Sequence, residues 1–221
     1  MASLVPIKGK PGLFFDRVTG RVLNIVEWRE DDKYDTVGQV LGAIAAGTEL
    51  VLFRDINGKD LIDINLKQPR RIAAGEEMRV EKIGVYIPLA FGNVIVAPVD
   101  VKRFAENAHA SFQINGKDIS EGPVIKYGSG YGLAGMTQET GAGVLSIGVP
   151  STAASAKLAR DHELTSNHEI DCSIKFFRRR WAIVTGGSSI ITDANEMPTL
   201  GTAIFAKVFL RGLIKSAATK G

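Results

Sequence analysis

The stretch TAIFAKVFLRGLIKS, residues 202–216, alternates in polarity with a period of two over most of its length. One face is apolar and is formed by Ile204, Ala206, Val208, Leu210, Gly212 and Ile214. The opposite face mixes apolar with basic residues and is formed by Phe205, Lys207, Phe209, Arg211, Leu213 and Lys215. A period of two is typical of a β-strand with one buried face. Because half of the second face is also apolar, we predict that Phe205, Phe209 and Leu213 form an inter-subunit face.

Other segments share this periodicity. EIDCSIKFF, residues 169–177, and TELVLFRD, residues 48–55, each predict a strand. In EEMRVEKIGVYIP, residues 76–88, the apolar phase changes between Val80 and Ile83. Since an alternating strand changes phase only through an extra residue, we predict a β-bulge near Glu81–Lys82.

The pentapeptide INGKD occurs twice, at residues 56–60 and 114–118. Asn-Gly between alternating apolar residues is a strong hairpin signal, because both positions accept a positive φ. In the second copy the predicted cross-strand pairs are Ile114–Lys117, Gln113–Asp118 and Phe112–Ile119. In the first copy the same loop would oppose Asp55 to Asp60, so we expect Asn-Gly there to open a longer connection. The two copies share turn chemistry and do not indicate a duplication.

Helix signals are few. About two turns are predicted over Asp100–Ala110, and a second helix is predicted from Ser151 through STAASAKLARDHE. Twenty-four glycines and many turn clusters favour an all-β protein, an antiparallel β-sandwich with one or two short helices. Residues 1–47 are predicted to form an N-terminal arm or hairpin, residues 48–216 the sandwich, and residues 217–221 a short C-terminal tail.

The composition excludes several classes of protein. With one cysteine, Cys172, the chain cannot hold an intramolecular disulfide framework or a thiolate metal cluster. A net charge of +3 tolerates an anionic partner without requiring one. No apolar run approaches the ~20 residues of a membrane span, and the first residues lack the apolar core of a secretory signal. We therefore expect a soluble protein made in the cytoplasm.

Several motifs could suggest catalysis. GYGLAG, residues 130–135, matches a dinucleotide-binding pattern, but the glycine-rich MTQETGAGVLSIG that follows does not suit the required helix. A flexible glycine-rich loop is the favoured interpretation. The histidines His109, His162 and His168 have no metal-binding spacing and are interpreted as polar surface or interface residues. We predict no catalytic residues, no metal site and no cofactor.

The densest basic and aromatic cluster is FFRRRW, residues 176–181. Arginines beside aromatic rings suit phosphate contact and stacking. Arg178, Arg179 and Arg180 are therefore candidates for contact with an anion. The alternative is that these arginines are solvated or paired with acidic neighbours.

Most of the chain, from Tyr34 to Lys215, resembles in pattern the single jelly-roll capsid proteins of tailless icosahedral bacteriophages. The segments that carry the resemblance are residues 44–88, the hairpin and glycine-rich loop of residues 110–135, residues 148–177, and AIFAKVFLRGLIKS at residues 203–216. The resemblance implies a single jelly roll of two facing sheets. It implies no catalytic residues, and it implies self-assembly through arms and loops that contact neighbouring subunits.

The resemblance implies a structural coat protein that self-assembles into an icosahedral shell around a genome. Its partners would be copies of itself and other virion proteins, its location the virion, and Arg178, Arg179 and Arg180 would face genome or inner-membrane lipid. One alternative is a binding module, such as a carbohydrate-binding sandwich or a phage spike protein. The two tryptophans, Trp28 and Trp181, form no evident sugar-binding platform. A cupin-like enzyme would need clustered histidines.

Overall fold

The computed structural model of the chain describes a defined set of residues. They are residues 4–17, 20–24, 27–39, 42–44, 47–88, 90–91, 94–95, 101, 104–105, 107–129, 155–177, 183–185, 188–190, 199–200 and 204–215. Within these ranges the protein is all-β, and its antiparallel sheets pack in a sandwich-like arrangement. No helix in the same ranges has the length and apolar character needed to cross a bilayer.

Two four-stranded antiparallel sheets make up the body of the described structure. Sheet I contains β4 (Trp28–Gln39), β7 (Glu77–Tyr86), β12 (Ala156–Thr165) and β17 (Ile204–Lys215), in the order β12-β7-β17-β4. Sheet II contains β6 (Glu49–Leu52), β10 (Ala108–Ile114), β11 (Lys117–Pro123) and β13 (Ile170–Phe176), in the order β11-β10-β13-β6. Every neighbouring pair in both sheets is antiparallel.

Smaller elements surround the two sheets. The N-terminal sheet contains β1 (Leu4–Pro6), β2 (Leu13–Asp16) and β3 (Val22–Asn24). Three short pairs are formed by β5 (Gly42–Ala43) with β16 (Thr199–Leu200), β8 (Ala90–Phe91) with β9 (Val94–Ile95), and β14 (Ile183–Thr185) with β15 (Ser188–Ile190). A single-turn 3-10 helix spans Val124–Lys126.

The strand order follows a simple rule along the chain. The strands of the two sheets occur in the sequence β4, β6, β7, β10, β11, β12, β13 and β17, and in this order they change sheet at every step except from β10 to β11. That exception is the hairpin at Asn115-Gly116. The arrangement is consistent with the predicted single jelly roll, in which eight strands form two facing sheets.

The core lies between the two sheets and contains the apolar faces that the alternation predicts. On β17 the inward residues Ile204, Ala206, Val208, Leu210 and Ile214 are buried. On β13 the inward residues are Ile170, Cys172, Ile174 and Phe176, and they are buried too. The rings of Phe104 and Phe176 meet edge to face at 5.1 Å, an arrangement that aromatic pairs favour.

The predicted β-bulge lies in β7. Arg211 pairs with Lys82 and Gly212 pairs with Val80, so Glu81 is the extra residue. The bulge brings the two backbones so close that a Cβ on Gly212 would lie 1.8 Å from the carbonyl oxygen of Arg79. Only glycine fits at residue 212, because any side chain there would overlap backbone that cannot move aside cheaply.

The hairpin predicted for the second INGKD copy is confirmed. Asn115 and Gly116 have φ values of 52° and 71°, as a two-residue turn requires. The pairs Ile114–Lys117 and Gln113–Asp118 form, but Phe112 pairs with Ser120 because Ile119 is an extra, bulged residue. The predicted Phe112–Ile119 pair is therefore wrong by one position. The first copy opens the connection between β6 and β7, as expected.

The predicted domain boundary at residue 47 does not coincide with a division between sheets. β4 pairs with β17 along its full length, from Trp28 opposite Lys215 to Gln39 opposite Ile204. Among the described residues of the predicted arm, β1, β2 and β3 form a separate sheet, and β5 pairs with β16 in another. The predicted arm of residues 1–47 therefore includes a complete strand of sheet I.

The inward side of β4 carries charges, and later parts of the chain neutralise them. Lys33 is paired with Glu76 at 2.8 Å. The fully buried Asp35 accepts hydrogen bonds from the backbone N–H of Phe53, at 2.6 Å, and from the ammonium of Lys59, at 2.7 Å. Buried charges are tolerated when they are paired and hydrogen-bonded, so this polar strand can close the edge of the core.

The helix predictions need correction. Backbone at residues 101, 104, 105 and 107 is helical, but Ala108–Ala110 belong to β10. The helix predicted from Ser151 through STAASAKLARDHE is wrong over residues 156–163, which belong to β12. β12 contains a large bulge between Lys157 and His162, opposite the bulge in β7. The extra residues interrupt the alternation of apolar and polar positions, so the sequence does not indicate a strand there.

Candidate assembly surface

The outer face of sheet I combines aromatic and basic side chains. Phe209 on β17 lies between Tyr34 on β4 and Gly84 on β7 in the cross-strand register. The rings of Tyr34 and Phe209 are 5.8 Å apart, and the guanidinium of Arg211 lies 5.4 Å from the Phe209 ring. The ammonium of Lys207 lies 4.7 Å from the Tyr34 ring. Cations over aromatic faces are attracted by the ring electrons, so this mixed face is held together within one chain.

Part of this outer face is covered by the same chain. A Cβ on Gly84 would lie 3.2 Å from the carbonyl oxygen of Gly128 and 3.3 Å from Ser129. Arg211 donates a 2.9 Å hydrogen bond to the hydroxyl of the buried Ser155. That hydroxyl lies 3.4 Å from the carbonyl oxygen of Ser129, to which it donates. Residues 128–129 and 155 therefore lie against the middle of the outer face.

The three residues predicted to face a neighbouring subunit differ in exposure. Phe209 is 6% exposed and is covered within the chain. Phe205 and Leu213 are half-buried. The inter-subunit role remains a prediction for Phe205 and Leu213, whereas Phe209 has little surface left to offer a neighbour.

A buried charge cluster attaches the N-terminal sheet to the end of the outer face that contains Leu213. Arg79, which pairs with Leu213, donates hydrogen bonds to Asp16 at 2.6 Å and to Asp161 at 3.0 Å. Burial alone would lower the pKa of Arg79, but Asp161 and Asp16 outweigh it and raise the pKa above the ordinary value. Burial, with the nearby Asp161 carboxylate, raises the pKa of Glu81. β2 is thus fixed to the bulged region of β7 and β12.

The connection between β6 and β7 presents two large apolar side chains to solvent. Leu61 and Ile62 are 78% and 74% exposed. Their backbone is held firmly, because the hydroxyl of Tyr34 donates to the carbonyl of Leu61 and the ammonium of Lys207 donates to that of Ile62. The Asp60 carboxylate accepts the N–H of Ile62 at 2.8 Å. An exposed apolar pair on a well-bonded loop is typical of an interaction site.

The two hydrogen bonds that hold this loop are exposed, although the donor side chains Tyr34 and Lys207 are half-buried. Burial lowers the pKa of Lys207. Burial also raises the pKa of Tyr34, and nearby carboxylates add to the shift. The two side chains therefore fix the position of Leu61 and Ile62 relative to sheet I.

The same connection closes the free edge of β4. The side-chain amide of Asn65 accepts the N–H of Tyr34 at 2.9 Å and donates to the carbonyl of Asp32 at 2.7 Å. The backbone N–H of Asn65 donates to the carbonyl of Tyr34 at 3.3 Å. Asn65 thereby satisfies backbone groups that an added strand would otherwise bind. Backbone pairing of another strand is therefore blocked at Asp32 and Tyr34, in the middle of this edge.

A second exposed apolar surface lies on the N-terminal sheet. Val5 pairs with Phe15, and Phe15 pairs with Val22, so the three residues form a row across the sheet. Phe15 is 41% and Val22 is 56% exposed. Sequence reasoning identified neither this row nor the Leu61–Ile62 pair. The alternation in β1 to β3 is too short to show which face is outward, and DLID reads as an ordinary polar connection.

The arginines predicted to contact an anion, Arg178, Arg179 and Arg180, lie outside the described residues. Phe177, which precedes them, is 52% exposed and donates its backbone N–H to the carbonyl of Asn107 at 3.1 Å. Its ring lies 6.0 Å from the imidazole of His109. The chain therefore leaves sheet II beside the start of β10, and the anion-binding role remains a prediction.

The other polar candidates do not converge in the described ranges. The Nδ1 atom of His168 accepts the N–H of Thr165 at 3.1 Å. Burial, with help from Arg160, lowers the pKa of the half-buried His162. Nowhere in the described part of the chain do three or more His, Cys, Asp or Glu side chains group as a metal site would need. Cys172 is buried in the core, and burial raises the pKa of its thiol well above the usual value.

No protein-family model matches this sequence, and no curated protein matches it either. The strand order and the exposed surfaces are therefore the basis on which function can be argued.

Proposed function

We propose that this protein is a structural capsid subunit that self-assembles into an icosahedral shell around a viral genome. The observation that carries the proposal is the strand order, β12-β7-β17-β4 facing β11-β10-β13-β6. This order is the one expected if the chain is a single jelly roll, an architecture that viral capsid proteins use. Fold alone does not fix function, so the surfaces must also suit self-assembly.

Two features of the surface support assembly through side chains. Leu61, Ile62, Phe15 and Val22 are exposed on elements that hydrogen bonds or ion pairs fix in place. Asn65 occupies backbone groups of Asp32 and Tyr34 that an added strand would need at the edge of β4. A subunit that exposes ordered apolar side chains, and closes this sheet edge, can form specific contacts without uncontrolled edge-to-edge association.

The partners of such a subunit are other copies of this chain and further virion proteins, and its location is the virion. Arg178, Arg179 and Arg180 are proposed to face the interior, where they would contact genome phosphates or lipid head groups. The capsid role needs no catalytic residue and no cofactor.

The test is to express the full chain and measure its assembly by light scattering after gel filtration and by negative-stain electron microscopy. Shells, or discrete oligomers that form shells on concentration, are the expected result. A chain that stays monomeric at every concentration and binds glycans or a cell-surface receptor would instead support the binding-module alternative. A charge reversal at Arg178–Arg180 should reduce packaging or particle stability without unfolding the subunit.

A further inference from the structure

The N-terminal sheet has two different faces. The side chain of Asp16 points to the body, where it is fully buried against Arg79. In the register of the sheet, Val5, Phe15 and Val22 lie on the opposite side from Asp16. We call this outward row, Val5–Phe15–Val22, the N-terminal apolar row.

The surroundings of the N-terminal apolar row are basic. Between residues 4 and 24 the charged residues are Lys8, Lys10, Asp16, Arg17 and Arg21. The single acidic member, Asp16, is buried, whereas all four basic residues are exposed. Arg21 approaches Glu163 at 3.9 Å, a distance at which an exposed pair contributes little. The N-terminal sheet therefore presents an apolar row together with four exposed basic residues.

The loop that carries Leu61 and Ile62 has the opposite charge. Residues 55–63 contain Asp55, Asp60 and Asp63 and one basic residue, Lys59. The ammonium of Lys59 is turned inward to the buried carboxylate of Asp35, 2.7 Å away. This segment, residues 55–63, which we call the acidic loop, therefore has three aspartates near its apolar pair, and among the described residues the one cation placed beside the pair is the ammonium of Lys207 at the carbonyl of Ile62.

The two surfaces lie at different ends of sheet I. Arg79, which holds the N-terminal sheet, pairs with Leu213 on β17. Lys207, which holds the acidic loop, lies six positions earlier on the same strand. Six residues of strand span roughly 20 Å. The acidic loop and the N-terminal apolar row of one chain are thus held apart, and contact between them requires a second chain.

We propose that the acidic loop of one copy docks on the N-terminal apolar row of the next copy. This inference rests on the proposed self-assembly and names the surfaces that carry it. Leu61 and Ile62 would pack against Phe15 and Val22, while the aspartates around them face the basic residues of the N-terminal sheet. Opposite charges around an apolar contact fix the alignment of the two surfaces and raise the rate at which two copies associate. A contact between two different surfaces is heterologous, and it closes into a ring or shell when the rotation between copies permits.

The experiment uses two variants of the full chain, Leu61→Asp, which disables the loop, and Val22→Asp, which disables the row. Both positions are exposed, so each change should leave the subunit folded. Ile125→Asp is the matched control, because Ile125 is 64% exposed on neither surface. Sedimentation velocity across a concentration series reports the assembly state of each protein.

Wild-type protein and Ile125→Asp should assemble at the same concentration. Each interface variant should remain monomeric up to at least about 30 times that concentration. A mixture of Leu61→Asp with Val22→Asp should form a particle of twice the 23.7 kDa chain mass, because each partner keeps one intact surface. Added salt should weaken that dimer by screening the charges.

Several results would overturn the inference. Wild-type-like assembly of either variant would show that the shell uses other contacts, and it would leave the proposed capsid function intact. A mixture that stays monomeric would rule out pairing of these two surfaces. If Val22→Asp instead abolishes binding to anionic vesicles while Leu61→Asp assembles normally, a membrane occupies the row. A wild-type chain that never associates would remove the proposed function together with this inference.

Discussion

The carboxylate of Asp16 accepts a 2.6 Å hydrogen bond from the guanidinium of Arg79, and both side chains are almost completely buried. The two residues are 63 positions apart in the sequence. Their contact joins the small N-terminal sheet to sheet I at the point where β7 is bulged. The position of the N-terminal sheet on the body therefore depends on this charge pair.

Replacement of Asp16 should release that sheet. In Asp16→Ala the buried Arg79 keeps its ion pair with Asp161 but loses its ion pair with β2. We therefore expect the unfolding free energy to fall by about 3 kcal/mol. Urea denaturation measures the loss, and trypsin should cut sooner at the exposed Arg17 and Arg21. The control Glu121→Ala removes an exposed carboxylate and should change stability by less than about 0.5 kcal/mol. Unchanged proteolysis in Asp16→Ala would show that the sheet is held by other contacts.

Gly212→Ala should prevent normal folding. The added Cβ would lie 1.8 Å from the carbonyl oxygen of Arg79, so the bulge would have to open and the central pairing of sheet I would shift. We expect a loss of more than about 4 kcal/mol, or insoluble protein. Gly47→Ala is the control, because Gly47 has a positive φ of 83° but open space around it, and about 1 kcal/mol is expected there. Equal effects of the two substitutions would contradict the packing argument.

Removal of the Asn65 amide should expose the edge of β4. Asn65→Ala leaves the N–H of Tyr34 and the carbonyl of Asp32 without their side-chain partner, and we expect a loss of about 2 kcal/mol. Because an open strand edge can pair with another chain, light scattering during refolding should also rise. The exposed turn residue Asn167 offers the control Asn167→Ala, which should alter neither quantity. Normal refolding of Asn65→Ala would mean that the edge is protected in another way.

Stability should fall in acid partly through Asp171. Burial tends to raise the pKa of this carboxyl, but hydrogen bonds from Arg54 and Arg70 outweigh it and leave the pKa below the ordinary value of 3.8. The ionised carboxylate therefore stabilises the fold above that value, and the contribution is lost as the pH falls through the folded pKa.

Asp171→Asn should consequently be less stable than wild type at neutral pH and should lose less stability on acidification. Urea midpoints measured from about pH 7 down to about pH 3 test this expectation. Parallel curves for wild type and variant would show that other groups cause the acid sensitivity.

The strands with strong alternation were predictable, and the reasons are local. β17 and β13 have uninterrupted apolar faces, and the phase change in β7 was enough to locate its bulge at Glu81. The sequence of β12 indicates a helix, wrongly, because the bulge between Lys157 and His162 breaks the two-residue period of the strand. Its pairing depends on β7, and a local pattern does not contain that information.

The sequence places β4 in the predicted arm for a different reason. Its inward positions include Lys33 and Asp35, which read as a solvated segment. Their burial becomes possible only when Glu76 and Lys59, more than 20 positions later, neutralise them. The exposed Leu61–Ile62 pair was missed on similar grounds, since its fixed position depends on Tyr34 and Lys207 from distant strands.

The central place of β17 in sheet I has a consequence for biosynthesis. β17 lies between β7 and β4, yet it follows every other strand of the two main sheets along the chain. Until the ribosome has made β17, the strand that lies between β4 and β7 is missing and sheet I is incomplete. Sheet I can therefore be completed only after translation has passed Lys215, and until then β4 and β7 each leave a strand edge unpaired.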